Sequence, residues 1–480
     1  MSQAHVAVPA DPFAMADGTA QAELVRRREA SPAELVEAAI ARIEAVNPAL
    51  NAVTHKLYER ARNQTAQPPG EGPFAGVPFL IKDLIPVAGV PGTSSCRALA
   101  AAVGQMSPPF VRAFDTAGLI AVGLTNTPEF GLIDTTEPAL HGPTHNPWDL
   151  SRSPAGSSGG SGAAVAAGLT PMAHASDGGG SIRLPASHNG VFGLKPSRGR
   201  CLDAGFPAMP FGLPDLAVDH VLTRTVRDSA AMLAVTEDPA TPLGRVGHVR
   251  EPLRRTLRIA LVREGTAGRR AAPEVDAAAL SAAGLCEELG HRVEETSWPF
   301  DGPEVMAAFI AEWQVLAAGA VAQTCAAVGC AADAEHFERW TLELAARGAA
   351  LGPARLAEVA GVLSAASRSL ATLFQTYDVL LSPVLGHPPK KLGEHATDLP
   401  YDVLFERVSE NAAFTPVFNA AGAPAMSVPL HWTPDGLPVG SQFAAAVGGE
   451  ALLLRLAYQL EAARPWADRW PPTSFQAMAG

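Results

Sequence analysis

Lys82 closes an apolar run, Phe79-Leu80-Ile81-Lys82-Asp83, and two clusters of serine and glycine follow it at 151–162 and 176–183. A serine hydroxyl is a weak nucleophile until a base takes its proton. A lysine serves as that base when burial removes water from its ammonium group and lowers its pKa. The end of an apolar strand is a place where that can happen, although on local sequence alone Lys82 reads better as an exposed strand-end charge. The second cluster, Ser176-Asp177-Gly178-Gly179-Gly180-Ser181-Ile182-Arg183, supplies backbone N–H groups that can converge with no side chains in the way. Such groups stabilise the oxyanion of a tetrahedral intermediate. The chemistry suggested is acyl transfer, with Ser181 as nucleophile, the amides of Gly178, Gly179, Gly180 and Ser181 as oxyanion hole, and Lys82 as base.

Other uses of a glycine-rich loop fail on spacing. A phosphate-binding P-loop needs Gly-Lys-Ser/Thr after its glycines, and none follows. A dinucleotide loop built on Gly160-Ser161-Gly162 needs a third glycine where Val165 stands, and a strand leading into it. Gly156-Ser157-Ser158-Gly159-Gly160 fits the nucleophile elbow of α/β-hydrolases, with Ser158 at its apex, but that motif also needs a preceding strand. Pro154 stands there instead, and proline cannot donate to a sheet ladder. The 13 histidines and 5 cysteines show no metal motif. No Cys-x-x-Cys pair occurs, Pro143 interrupts His141 and His145, and His174 lies in an apolar stretch as a core histidine would. Neither a metal nor a cofactor is expected.

The elements that must position these groups follow from composition and periodicity. Of 480 residues, 47% are apolar and 18% charged, with 44 glycines and 42 prolines. That glycine and proline content is above the usual share of roughly 12% but below the low-complexity range. It fits a large globular protein rich in turns and excludes coiled coil, collagen and disorder. The net charge of −12 lacks the basic footprint of a duplex DNA binder. Ser31, Pro32 and Glu34 form a capping box, after which Leu35, Ala39, Ile40, Ile43 and Val46 recur at helical spacing. Asn47-Pro48 is expected to end that helix. Short apolar runs at 76–81, 119–124, 258–262, 378–381, 425–428 and 439–444 read as strands. Helical patterns separate them, at 161–169 behind the Gly/Ser loop, along Leu356-Val359-Leu363-Leu370-Leu373, and at 450–463. This alternation predicts an α/β fold with helices on both faces of a sheet. The Ala/Gly-rich stretch 315–330 is too weakly apolar for a membrane span and reads as buried helices. Residues 1–5 carry no secretory signal, and the scattered cysteines suit reduced thiols, so a cytoplasmic protein is expected.

Together, Lys82, Gly156-Ser157-Ser158-Gly159-Gly160-Ser161 and Gly179-Gly180-Ser181-Ile182-Arg183 resemble the amidase signature family. Ser157 and Ser181 lie 24 residues apart, the spacing of that family's two catalytic serines. The likeness extends through Gly76-Val77-Pro78-Phe79-Leu80-Ile81-Lys82-Asp83, Thr125-Asn126-Thr127-Pro128-Glu129, Gly190-Val191-Phe192-Gly193-Leu194-Lys195-Pro196, Asn419-Ala420-Ala421-Gly422-Ala423-Pro424-Ala425 and Gly436-Leu437-Pro438-Val439-Gly440. The resemblance implies a three-layer α/β/α fold around a mixed sheet, formed by one domain over 1–480. Within it lie an N-terminal helical segment at about 15–60, a core at about 70–240 and 375–465, and a variable pocket region at about 240–410. It also implies a Ser-Ser-Lys triad. Ser181 attacks, Ser157 (in a cis peptide) relays the proton, and Lys82 is the terminal base. Ser158 and Arg183 fall at supporting positions, Asp177 at a brace for the oxyanion loop, and Asn126 and Gly156 at substrate-binding positions. The sequence departs from the family pattern at Ala155 (usually glycine), Ser176 (usually threonine), Gly178 (usually larger) and Ser187-His188-Asn189 (usually an aromatic-Cys segment). These departures bear on substrate choice and leave the triad intact.

Thr125-Asn126-Thr127-Pro128-Glu129-Phe130-Gly131 and Thr135-Thr136-Glu137-Pro138 are similar to the branch of 6-aminohexanoate-cyclic-dimer (nylon oligomer) hydrolases and to urethane-cleaving amidases. That implies hydrolysis of small or xenobiotic amides, and of carbamates, which present the same carbonyl. The expected partner is the small-molecule substrate, with no nucleic acid and no membrane, for a monomer or homodimer. Two rival readings remain. One is the amidase subunit of a tRNA-dependent amidotransferase that releases ammonia from glutamine; the other is a family member without catalysis that serves in binding.

Overall fold

Strand Pro78–Lys82 shows how the sheet sorts its residues. Successive side chains point to opposite faces. Phe79 and Ile81 therefore pack with Phe110, Phe114, Met172 and Val221 on one face, while Leu80 joins Ala163, Ala164, Ala173 and Leu222 on the other. Lys82, two residues after Leu80, shares the second face, where the Gly/Ser loop and its helix lie. The computed structural model describes residues 11–68, 70–206 and 208–479. The N-terminal stretch read above for a leader lies outside them.

Eleven strands form one mixed sheet among the described residues. In chain order they are β1 (Val53–Lys56), β2 (Pro78–Lys82), β3 (Ile120–Thr125), β4 (Met172–Asp177), β5 (Phe192–Lys195), β6 (Val218–Thr223), β7 (Arg258–Leu261), β8 (Arg292–Glu295), β9 (Val379–Pro383), β10 (Ala425–Trp432) and β11 (Pro438–Ala444). Their order across the sheet is β1-β3-β2-β4-β6-β5-β10-β11-β9-β7-β8. β2 runs parallel to β3 and β4, and β7 runs parallel to β8 and β9. The centre, from β4 through β6, β5, β10 and β11 to β9, is antiparallel. Helices cover both faces, and buried apolar clusters on each side form the α/β/α layering. All six strands read from the sequence are present, with ends shifted by at most four residues.

Two helical expectations are corrected. The capped helix begins as read, with Ser31 and Glu34 exchanging capping bonds, but it runs through Pro48 to Leu50 before Asn51 turns left-handed. Proline's fixed φ is helical, so near a helix end it removes one hydrogen bond without stopping the last turn. Of the stretch 315–330, residues 315–328 belong to a single 27-residue helix, Gly302–Val328, whose distal end is buried on one side only: Ala322, Gln323 and 326–328 are exposed. By length and composition this helix would suffice to cross a membrane. Here its first half packs Val305, Met306, Ala308 and Phe309 against Leu356, Val359 and Leu363.

Candidate active site

The strand alternation that sends Lys82 to the helix-bearing face also buries it completely. Its Nζ lies 2.7 Å from Ser157 Oγ and 2.9 Å from Ser176 Oγ. Burial pushes the lysine down from its ordinary value to about 7, against the attraction of Asp219 and Asp177. A second lysine, Lys195, is also fully buried and pushed down to about 7, again chiefly by burial. Its Nζ donates to the Pro196 carbonyl at 2.9 Å and reaches no hydroxyl. Of the two, Lys82 has the geometry of a base for serine chemistry.

The Gly156–Ser157 peptide is cis, as the resemblance implied. The Ser158 N–H donates to the Ser181 carbonyl at 3.3 Å, which holds the two serine loops side by side. Ser158 Oγ donates to the Ser176 carbonyl at 3.2 Å and accepts from the Ser176 N–H at 3.3 Å, fastening this loop to the end of β4. A side chain added at Gly131 would come within 3.0 Å of Ser157 Oγ, so that hydroxyl lies just behind the Gly131 backbone. Ala155, where the family usually has glycine, sits at φ +63°. A β-carbon in that left-handed region costs roughly 1–2 kcal/mol.

The loop that carries Ser181 is shaped by Asp177. Its carboxylate accepts from the N–H groups of Gly180 (2.7 Å), Ile182 (3.2 Å) and Arg183 (3.4 Å). It also accepts from Arg183 Nε and Nη2, each at 2.9 Å, and from Asn419 Nδ2 at 2.9 Å. Burial would raise this carboxyl, but the Arg183 guanidinium holds it far below the usual carboxylate range. The N–H of Gly180 is thereby committed, which corrects its assignment to the oxyanion hole. The amides of Gly178, Gly179 and Ser181 remain for that role. Gly180 itself sits at φ +136°, and a β-carbon there would meet Thr415 Oγ1 at 2.4 Å. Arg183 extends the brace to the C-terminal strands, donating to the Thr415 carbonyl (3.0 Å), Gln442 Oε1 (2.7 Å) and Asn419 Oδ1 (2.7 Å). Replacing Arg183 with alanine leaves Asp177 buried without its counter-charge. The expected loss is about 3–5 kcal/mol, read from the midpoint of urea unfolding.

Ser181 and Gly179 open on a cleft enclosing about 640 Å³, including its solvent-open part. Its walls are Met306, Phe309, Ile310 and Trp313 from one helix, with Trp340, Leu344, Phe405 and Val408 opposite and Gly131, Leu132 and Ile133 between. Most of these wall residues lie within 240–410. Asp134 is the one charged residue in the lining. It is engaged by His395 Nδ1 at 2.8 Å and Asn411 Nδ2 at 2.7 Å. Burial would raise the Asp134 carboxyl, but His395 holds it low; burial would lower His395, but Asp134 holds it high.

Two expected substrate contacts are not in this cleft. Asn126 is buried, its side chain donating to the Gly142 carbonyl and Thr144 Oγ1 at 3.0 Å each and accepting from the Thr127 N–H. Gly156 is packed so tightly on the Thr135 backbone that a β-carbon would lie 2.4 Å from its carbonyl oxygen. Asn126 supports the Gly/Ser loop from behind, its carbonyl accepting from the Gly160 N–H at 3.2 Å, and Gly156 belongs to that loop. Sequence reasoning missed Ser176 as a partner of Lys82: alternation along β4 groups it with Met172 and His174 on the Phe110 face, and only the geometry at the strand ends brings its hydroxyl to Lys82 Nζ. It also missed the cleft wall. Met306, Phe309, Ile310 and Trp313 have helical spacing, but that spacing does not distinguish a cleft from a core. His141 does join a grouping with metal-ligand chemistry, with ligand atoms of His55, Asp83 and His141 within 4.8 Å of one another. None of the three lines the cleft, and Asp83 already accepts from the Thr93 N–H at 3.0 Å and from its hydroxyl.

The layered sheet and the paired serine loops on its helix-bearing face define a class of α/β/α proteins that recurs in known chains. A sequence profile of the family described as Amidase matches residues 34–454. The Mycobacterium tuberculosis protein called AmiC, an amidase by designation, is 42% identical over 97% of this chain and 98% of its own. The 6-aminohexanoate-cyclic-dimer hydrolase of Paenarthrobacter ureafaciens is 36% identical over 95% of this chain and 96% of its own. A solved structure of 6-aminohexanoate cyclic dimer hydrolase complexed with substrate superposes with a TM-score of 0.89, at 34% identity over 96% of this chain and 99% of that one. The chain belongs to the amidase signature family.

Proposed function

We propose that this protein hydrolyses small amides with apolar substituents, and carbamates of similar shape, through an acyl-enzyme on Ser181. The observation that carries this reading is the buried Lys82 amine, 2.7 Å from Ser157 Oγ, beside a nucleophile loop that opens into an apolar cleft. In the neutral amine the nitrogen lone pair accepts from the Ser157 hydroxyl, while an N–H donates to Ser176 Oγ. As Ser181 Oγ attacks the substrate carbonyl, its proton passes to Ser157 and the Ser157 proton passes to Lys82. The amides of Gly178, Gly179 and Ser181 stabilise the oxyanion. Collapse breaks the C–N bond, and the leaving amine takes the proton back from Lys82 through Ser157. Water then repeats the sequence on the ester, regenerating Ser181 and releasing the acid.

The cleft supports the substrate class. A side chain such as that of Trp313 or Phe309 gains from covering apolar surface at about 25 cal/mol per Å². Glutamine would instead bring an ammonium and a carboxylate into a lining whose one charge, Asp134, is already paired, and desolvating them unpaired is costly. The 6-aminohexanoate-cyclic-dimer hydrolase supports an amide substrate larger than glutamine's side-chain amide, and the Rhodococcus erythropolis acylamidase, 34% identical, supports amide hydrolysis.

The test is turnover by the purified chain on apolar anilides, cyclic amide dimers, aryl carbamates and glutamine, with and without a chelator. The anilides and cyclic amides are expected to turn over at least tenfold faster in kcat/KM than glutamine, the chelator to have no effect, and a fluorophosphonate to label Ser181. Preference for glutamine would favour the amidotransferase reading. A folded sample that neither turns over nor labels would favour the binding reading.

A further inference from the structure

The helix whose first half lines the cleft ends in a turn that brings two thiols together. Gly329 takes the left-handed conformation, φ 72° and ψ 30°, and its N–H donates to the Cys325 carbonyl. In such a turn the residue after the left-handed glycine folds back over the side chain four residues before it. Here those two residues are Cys330 and Cys325, and their sulfurs lie 3.7 Å apart. Both are half-buried beside Cys96, Val321, Phe337 and Ala345. The turn between them, 326–329, is exposed, so small oxidants can reach the pair. Cys96 and Cys286 are buried, and all five thiols are free.

We propose that Cys325 and Cys330 form a redox-active dithiol, which a hydroperoxide closes to an intrachain disulfide across the C-terminal turn of helix Gly302–Val328. One thiolate attacks the peroxide oxygen, giving a sulfenic acid and releasing the alcohol. The second thiolate attacks the sulfenic sulfur, forming the S–S bond and expelling water. Two thiols and one hydroperoxide thus become one disulfide, one alcohol and one water; the two cysteine sulfurs are oxidised and the peroxide bond is reduced. Thiol reductants such as dithiothreitol reverse the bond by exchange. Its formation pins the end of the helix to the chain that leads into Trp340. The site stands apart from Ser181 and Lys82, so the proposal is independent of the catalytic reading.

The experiment treats the reduced full-length protein with stoichiometric tert-butyl hydroperoxide, blocks remaining thiols with N-ethylmaleimide and maps the peptides by mass. Titratable thiols are expected to fall from 5 to three. The segment holding both cysteines should become about 2 Da lighter, and dithiothreitol should restore it. Cys325→Ser and Cys330→Ser should each lose that shift, whereas Cys286→Ser should keep it. Full alkylation of Cys325 and Cys330 after peroxide would overturn the proposal. So would sulfinic acid formation without a cross-link, or a disulfide formed with another cysteine or between chains.

Discussion

Ser181→Ala is expected to lower kcat on an apolar anilide by four or more orders of magnitude while leaving the fold intact. Removal of a nucleophile that works with a base and a relay eliminates the acyl-enzyme route, so the remaining rate reflects binding and the oxyanion hole alone. The fold should survive because Ser181 contributes little to the shape of its loop. Asp177 holds that loop through backbone N–H groups on either side of Ser181, at Gly180 and at Ile182. Arg183 carries the restraint to Thr415, Gln442 and Asn419. The melting temperature should therefore shift by no more than a few degrees. Steady-state rates paired with thermal unfolding check both halves. Residual activity above one part in about a hundred would place the nucleophile elsewhere, with Ser157 and Ser158 on the adjoining loop the candidates.

Lys82→Met should change activity and stability in opposite directions. The loss of a positioned general base costs about 10²–10⁴ in rate. The buried lysine, however, is held near 7 where its ordinary value is 10.5. In that window the unfolded chain binds the proton more readily than the folded one, so this group's contribution to stability grows as pH rises from about 7 to 10.5. Below 7 its full penalty applies, a few kcal/mol at 1.36 kcal/mol per pKa unit. Methionine removes that penalty but leaves the Ser157 and Ser176 hydroxyls without their partner, at about 1 kcal/mol each. The net expectation is a gain of about 1–3 kcal/mol at pH 7, shrinking towards pH 10. In the wild type the same group should give kcat/KM a limb that rises with pH through about 7 as the amine loses its proton. Urea unfolding at the two pH values and a pH–rate profile measure these effects. A profile flat from pH 5 to 9, or a methionine variant less stable than wild type at pH 7, would remove Lys82 from the role of base.

Much of this site could be read from the chain because its parts are local. The capping box at Ser31, the apolar run ending in Lys82 and the glycine run before Ser181 each carry their physical meaning within a few residues. The strands missed by periodicity show where that stops. β4 and β6 are buried on both faces, yet they contain His174, Asp177, Asp219 and His220. Those polar groups find partners across the sheet, in facing loops or on covering helices, as His174 does with Asp219 at 2.9 Å and His220 with Ser229 at 2.8 Å. The substrate contacts failed for a related reason. Asn126 is a polar residue in a matching motif, and only the backbone folding of 142–144 around it reveals that its hydrogen bonds are already used. The apolar cleft was invisible because its wall is made where four separated segments, 131–133, 306–313, 340–344 and 405–408, meet. The commitment of the Gly180 amide to Asp177 depends on a loop conformation that three consecutive glycines leave unspecified.

The Arg183 brace also sets an order of events during synthesis. Its partner Gln442 lies 259 residues further along the chain, and the buried Arg200 likewise waits 250 residues for Glu450. At translation rates of about 5–20 residues per second, that interval is on the order of 13–50 s. Until it closes, the Ser181 loop has Asp177 and Arg183 but lacks Gln442, and for most of it Thr415 and Asn419 as well. The two serine loops can thus be complete in sequence while the brace that shapes the Ser181 loop is still unassembled, and that brace closes only once residue 442 has been made.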